Sequence, residues 1–344
     1  MENKKFAQID ALRFFAVMPV LISHWGLFDI QPSTEFLFSS NGVNLFFIIS
    51  GFLITLGLIR SREKEEYIQT SLSKFYVRRF LRIFPIYYLM LLFLWLFNHH
   101  KVADGIIWYL TYTTNFYCIK IQDWGGLSHL WSLALEEQFY FIWPFIILLS
   151  PKQLLPIIIS ATICLSVAFK TYCAYYGATF WISYMHPLAV LDILGLGALL
   201  AYLFYFKIEA LKKLLHNNAF IAFVFLQLGL VLYCRFNLKY HSIYDILSRC
   251  SFGLFSAWIV GRAVFNFNGI IGRILTSKPL SYIGKISYGV YLLHILVPGM
   301  LMGVKYPINH TLRFCMYFIL TIAICTLSWE LFERQILKLK SKFE

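Results

Sequence analysis

The sequence predicts an all-α polytopic membrane protein of about ten transmembrane helices in one bundle. Three observations predict it. The 344 residues are 59% hydrophobic and only 14% charged, whereas a soluble domain carries about a quarter charged residues. Ten apolar runs approach or reach the ~17–25 residues that cross a bilayer core. The basic residues are shared unevenly among the segments between those runs.

In order, the runs cover residues 10–29, 41–60, 83–97, 127–150, 154–170, 187–206, 218–234, 246–262, 286–303 and 311–330. The third is short and borrows from its flanks. Residues 105–119 form a weaker, aromatic-rich stretch, read as re-entrant or interfacial. Continuous apolar runs exclude the alternation of a barrel, which leaves helices as the way to satisfy the backbone in lipid. The polar stretch 60–82, RSREKEEYIQTSLSKFYVRRFLR, reads as a helical cytoplasmic lead into the third span, with Pro85 and the tyrosines after it turning the chain into the membrane. Residues 262–285 are the other sizeable cytoplasmic piece. With the N-terminus inside, 21 of the 30 Lys and Arg fall on inner flanks and eight on outer ones, and Arg13 lies within the first run. The positive-inside rule then places both termini in the cytoplasm. That asymmetry, with anionic membrane lipid as a partner, accounts for the net charge of +13 without any nucleic acid. Arg13 also argues against a cleavable signal. The seven cysteines are scattered with no C-x-x-C, which gives neither a disulfide framework nor zinc spacing. No linker or repeat divides the chain, so one domain over 1–344 is expected, with no soluble domain appended.

Ionisable groups inside spans cost free energy and point to function. Arg13 and His24 are eleven residues apart in ALRFFAVMPVLISH. On a helix they share a face about 16 Å apart along the axis, and Asp10 is placed to pair with Arg13. In SHLWSLALEEQFYFIWP, residues His129, Ser132, Glu136 and Tyr140 make one polar stripe, while Glu137 points elsewhere. Arg78, Arg79 and Arg82 in FYVRRFLRIFPIYY crowd one turn, a good phosphate site because guanidinium binds bidentately. Ser287, Tyr291 and His294 in GKISYGVYLLH share a face and are candidates for substrate contact, with interhelical hydrogen bonding as the alternative. Glu330, Glu333 and Arg334 close the last span and read as local pairing. Asp192 stands as a buried carboxylate with no partner nameable from sequence.

Taken together, IDALRFFAVMPVLISH, GVNLFFIISGFLI, RRFLRIFPIYY, HLWSLALEEQFYFIWP, GKISYGVYLLH and the closing FERQ resemble membrane acyltransferase family 3, in the family's order and over nearly the whole chain. The resemblance implies a fold of about ten helices in the bacterial cytoplasmic (inner) membrane. It implies transfer of an acyl group, usually acetyl, from cytoplasmic acyl-coenzyme A to a hydroxyl of an extracytoplasmic glycan, either a surface polysaccharide such as lipopolysaccharide or a lipid-linked sugar. By position, Arg13 and His24 match the family's Arg-x10-His pair, Arg79 and Arg82 its paired arginines, Glu136 its Trp-Ser-Leu-x-x-Glu motif and Glu333 its C-terminal acid. Three positions depart from the pattern: Asn44 where an acid is common, Gln335 in place of a frequent proline, and Val190 where Arg often precedes the acid at 192.

The expected mechanism has Arg13, Arg79 and Arg82 binding the phosphates of acetyl-CoA, or another acyl-CoA, as co-substrate. The pantetheine arm, about five extended residues long or on the order of 16 Å, would deliver the thioester to His24. His24 would act as general base toward the acceptor hydroxyl, a role worth ~10²–10⁴ in rate, or would carry the acyl group itself. Glu136 would orient the imidazole. Asn44, Ser132 and Tyr140 are candidates for the oxyanion. No metal is required. Two other readings stay open: a transporter or flippase of a lipid-linked saccharide, which should show inverted repeats, and a haem or metal protein using His24, His129 and His294.

Overall fold

Apolar side chains recur all round the long segments, so these helices are buried in protein on one side and in lipid on the other. The computed structural model describes residues 6–27, 32–64, 67–97, 100, 102–237, 242–301 and 309–339; it describes no side chain in 31–38 or 235–243. It is 86% helical, with no strand among the described residues. Five of the basic residues that bear on topology, Lys4, Lys5, Lys101, Lys239 and Lys305, lie outside the described residues, as do Lys340 and Lys342 at the C-terminus.

The helices run in order α1 (Ala7–Trp25), α2 (Pro32–Glu63), α3 (Ile68–Phe97), α4 (Ile106–Leu110), α5 (Thr114–Ile121), α6 (Leu130–Leu149), α7 (Leu155–Tyr175), α8 (Phe180–Met185) and α9 (Leu191–Phe206). They continue with α10 (Ile208–Leu215), α11 (Asn218–Asn237), α12 (Ser242–Val264), α13 (Gly269–Leu275), α14 (Lys278–Lys285), α15 (Ser287–Leu293), α16 (Leu296–Met300), α17 (His310–Ser328) and α18 (Arg334–Lys338).

This is a multi-pass membrane protein. Among the described residues, six helical stretches are long and apolar enough to cross a bilayer, and eight if the bent pairs α10–α11 (59°) and α12–α13 (87°) each count as one. Two of the ten expected spans fall short, for identifiable reasons. In α1, Asp10, Arg13 and His24 lower the apolarity of a 19-residue helix that is long enough to span. The ninth run is broken at His294 and Ile295 into α15 and α16, of seven and five residues. The stretch 105–119 folds as α4 and the start of α5, of five and eight residues. Neither is long enough to span. Pro85 does not turn the chain: it sits inside the continuous 30-residue α3, so Arg78, Arg79 and Arg82 lie within that helix.

Two compact units form. Unit 1 comprises residues 1–46, 76–93 and 266–344; unit 2 comprises 47–75 and 94–265. In unit 1, α1 packs on α13, α14, α15 and α17. The Gln8 amide clips α1 to the segment before α13, donating to the Phe267 carbonyl (3.1 Å) and accepting from the Phe267 amide (2.8 Å). Gly284 is required where α14 meets α1, because a Cβ there would lie 1.6 Å from the Asp10 carbonyl oxygen.

In unit 2, α9 packs on α7 and α12, and α5 on α6 and α8. The short helices are held by amides. Gln138 on α6 donates to the Tyr112 carbonyl (2.9 Å) and to Asn115 Oδ1 (2.8 Å), and Asn115 donates to the Met185 carbonyl at the end of α8 (3.2 Å). At the far ends of α2 and α6, Arg62 donates to the Ile147 carbonyl (2.7 Å) and Glu63 pairs with Lys152 (2.8 Å).

Candidate active site

The first part of the site grows from the end of α1. Gly26 adopts the left-handed conformation (φ 58°) and returns its amide to the Ile22 and Ser23 carbonyls. That cap ends the helix one residue past Trp25, so His24 lies in the last turn, where the helix dipole favours positive charge by about 0.3–1 kcal/mol. The end is fixed from outside as well. Trp25 is buried edge-on against Phe314 and Tyr317 of α17, and its indole N–H donates to the His294 carbonyl (3.2 Å).

His24 Nδ1 lies 2.7 Å from His294 Nε2, and the two rings stack at 18° with centroids 5.0 Å apart. His294 is fully buried, and its Nδ1 is 2.7 Å from the Tyr291 carbonyl oxygen. The carbonyl can only accept, so His294 Nδ1 carries a hydrogen. With both rings neutral, His294 Nε2 is then an acceptor and His24 Nδ1 must donate to it. The remaining lone pair falls on His24 Nε2. His24 is exposed, and among the described residues its Nε2 makes no hydrogen bond. The break between α15 and α16 makes this possible, because it opens the last turn of α15 to a side chain in place of the next backbone amide.

The arginines belong to the same unit. Arg79 and Arg82 are neighbours on one face of α3, and both are half-buried. Arg13 is paired with Asp10 at 2.7 Å, the partner its spacing predicts. Tyr288 on α15 donates to the Ile83 carbonyl (3.2 Å), tying the helix that carries the histidine relay to the residue after Arg82. Glu333 is buried in a π-helical turn, Trp329–Glu333; it accepts from Ser328 (3.1 Å) and feels the charge of Arg82. The closing cluster therefore divides: Glu330 and Arg334 pair locally, as read from sequence, while Glu333 turns inward. Asn44 is also in unit 1, buried, with no hydrogen-bond partner for its Oδ1 among the described residues. Tyr291 is buried edge-on to Phe46.

Glu136, Ser132 and Tyr140 belong to unit 2. All three lie on α6 as the stripe predicts. Glu136 accepts from Ser50 (2.8 Å). Within unit 1 the partner of His24 Nδ1 is His294; the sequence reading named Glu136 to orient the imidazole and did not name His294. Ser132 donates to the His129 carbonyl (3.1 Å), which uses the hydroxyl proton that an oxyanion would need. Tyr140 is buried, edge-on to Phe139. Asp192 is not solitary: Lys170 pairs with it and Ser166 donates to it (2.9 Å). Ser166 and Lys170 are i, i+4 on one face of α7, a signal present in the sequence. Among the described residues, no three His, Cys, Asp or Glu converge as metal ligands.

A family model described as an acyltransferase domain matches residues 6–330. The chain belongs to that acyltransferase family. It is 30% identical, over 85% of its length, to the peptidoglycan O-acetyltransferase OatA of Listeria monocytogenes, covering 49% of that protein. It is 29% identical, over 83% of its length, to "Putative peptidoglycan O-acetyltransferase YrhL" of Bacillus subtilis, covering 47% of it. The chain thus spans about half the length of these curated relatives. No solved structure matches it. In this acyltransferase-domain chain, the match crosses both units and includes α1, α3, α6 and α15.

Proposed function

We propose that the protein is an O-acyltransferase that moves an acyl group, in the first instance acetyl, from acyl-coenzyme A to a hydroxyl of a cell-surface glycan. The family and the names of its relatives support the reaction class. The observation that carries the mechanism is the hydrogen-bond chain from the Tyr291 carbonyl through His294 to His24. It leaves the Nε2 lone pair on an exposed imidazole, as a general base requires.

His24 Nε2 takes the acceptor's proton as the hydroxyl oxygen attacks the thioester carbonyl. The tetrahedral oxyanion so formed collapses to the ester as the C–S bond breaks, and the departing thiolate takes the proton held on His24 to leave coenzyme A. His294 is the positioning residue: it fixes the tautomer and shares the positive charge. Arg79 and Arg82, with Arg13 beside its Asp10 partner, bind the donor phosphates at the cytoplasmic rim. Both termini on that side of a bacterial cytoplasmic membrane complete the arrangement. Peptidoglycan is the acceptor the relatives' names favour; a lipid-linked sugar on the same face has the same chemistry.

The test is acetyl transfer by purified protein in lipid nanodiscs, with coenzyme A binding read from thermal unfolding. The wild type should be stabilised by coenzyme A; a ligand at 100 times its Kd adds about 2.7 kcal/mol. His24→Ala should lose transfer and keep that response. Near-normal transfer by His24→Ala would remove the base assignment. Absence of any coenzyme A response in the wild type would remove the donor.

A further inference from the structure

Unit 2 holds a group of charges that the mechanism does not use. Chain direction places it at one end of the unit: Lys170 is near the end of α7, Asp192 near the start of α9, and Arg249 in the first half of α12. Lys170 and Asp192 are each almost fully buried and pair with one another, and Ser166 fills the second carboxylate oxygen. Arg249 is 8% exposed, and its guanidinium lies over the Tyr184 ring, 4.8 Å from the centroid. Neither its Nε nor its Nη2 has a hydrogen-bond partner among the described residues. The Asp192 carboxylate is already filled by Lys170 and Ser166, so it does not serve Arg249.

A buried guanidinium without an acceptor is costly, since an uncompensated buried charge strongly destabilises a fold. The two unpartnered atoms are not an arbitrary pair. Nε–H and Nη2–H lie side by side on one edge of the guanidinium, and two parallel N–H groups match both oxygens of a carboxylate or phosphate. Tyr184 stacks on Phe180 (5.2 Å, 13°), and Phe180 meets Trp181 and Trp124 edge-on. Aromatic walls with one or two fixed polar groups are the usual lining of a small-ligand site.

We propose that Arg249 anchors an oxyanion-binding site, and that its ligand is the carboxylate or phosphate of an acidic saccharide. The anion site stands on the geometry of unit 2 alone. Naming a saccharide rests on the acyltransferase reading, whose acceptor is a glycan. The edge is covered in this structure, and Tyr184 of the six-residue α8 lies against the guanidinium, so entry of the ligand requires a local shift around Arg249.

The experiment is thermal unfolding of the full chain in nanodiscs, with galacturonate and glucose 1-phosphate set against neutral galactose and glucose. Phosphatidylcholine discs are compared with discs containing phosphatidylglycerol. The acidic sugars should raise the wild-type midpoint in both lipids and the neutral sugars should not. Arg249→Lys should weaken the response about tenfold or more in concentration, because one ammonium replaces a two-pronged fork. Arg249→Met should abolish it while leaving the ligand-free midpoint at or above that of the wild type. A group that merely holds the fold would shift that midpoint down. Should Arg249→Met fail to fold, Arg249→Lys decides.

The proposal is overturned if the acidic sugars do nothing, if neutral sugars act equally, or if Arg249→Met still responds. A response to phosphatidylglycerol in place of the sugars makes the site a lipid headgroup site and overturns the saccharide assignment. Coenzyme A is added to separate samples. Its failure to stabilise would count against the acyltransferase reading, and the acidic-sugar response would still judge the anion site.

Discussion

His24 and His294 stack at 18° and share a 2.7 Å hydrogen bond between Nδ1 of the first and Nε2 of the second. The Tyr291 carbonyl fixes the direction of that bond. A backbone oxygen at the end of α15 thereby selects which nitrogen of His24 can accept a proton.

The conservative replacement tests this directly. An Asn amide can donate to a carbonyl and accept from an imidazole, whereas Ala can do neither. His294→Ala should lower kcat by ~10² or more with little change in the KM for acetyl-CoA. His294→Asn should recover part of kcat. Equal loss in both variants, or a change confined to KM, would remove the positioning role.

The pair also predicts the pH profile. Adding one proton to the linked rings places hydrogen on both outer nitrogens, including His24 Nε2, whichever ring is credited with the charge. A second proton would break the shared hydrogen bond and set two like charges against each other. The two rings therefore titrate as a unit. Log kcat/KM should rise with pH along a limb of slope one and level off once the pair is neutral. A limb of slope two would mean that the histidines titrate independently.

Arg82 faces two roles, donor phosphate and Glu333. Arg82→Ala should lose most of the midpoint rise given by coenzyme A and should itself unfold at lower temperature, since buried Glu333 loses the charge that acts on it. Adding Glu333→Gln should restore stability and not the coenzyme A response. A double variant no more stable than Arg82→Ala would show that the two side chains are uncoupled.

Asp192 and Lys170 give a stability test free of the active site. Asp192→Asn strands a buried ammonium and should cost about 3–5 kcal/mol. Replacing both residues with Met should recover most of it. Thermal unfolding of the three proteins settles whether the pair is structural.

Gly284 opens the GKISYGVYLLH stretch, and the structure explains why it is glycine. Its Cα lies against the Asp10 carbonyl with no room for a methyl group. Gly284→Ala should push α14 off α1, lowering the unfolding midpoint by an amount equivalent to about 1–3 kcal/mol. It should also disturb Arg13, which pairs with Asp10.

The long apolar runs were legible because lipid allows few alternatives: α2, α3, α6, α7, α9 and α17 stand where hydropathy places them. The pairing of Arg13 with Asp10 and of Glu330 with Arg334 was legible for the same reason of locality, being one helical turn apart. His294 was legible as a polar residue on a polar face, but not as the partner of His24. They are 270 residues apart, and no periodicity links them. The break after α15, which lets an imidazole reach the Tyr291 carbonyl, has only Pro298 and Gly299 nearby as hints, and they fall past it. Lys170 was read by its place at the end of a span, as a flank charge; its inward direction depends on α9, which supplies Asp192.

The π turn at Trp329–Glu333 puts one extra residue into the final helix. A π bulge absorbs one residue while the faces before and after it stay in register. Deleting exposed Leu331 should therefore restore ordinary winding, leave Arg334–Lys338 on their present face and tighten the turn around the buried acid. Such a length variant probes where the helix lets Glu333 sit, with its carboxylate still present.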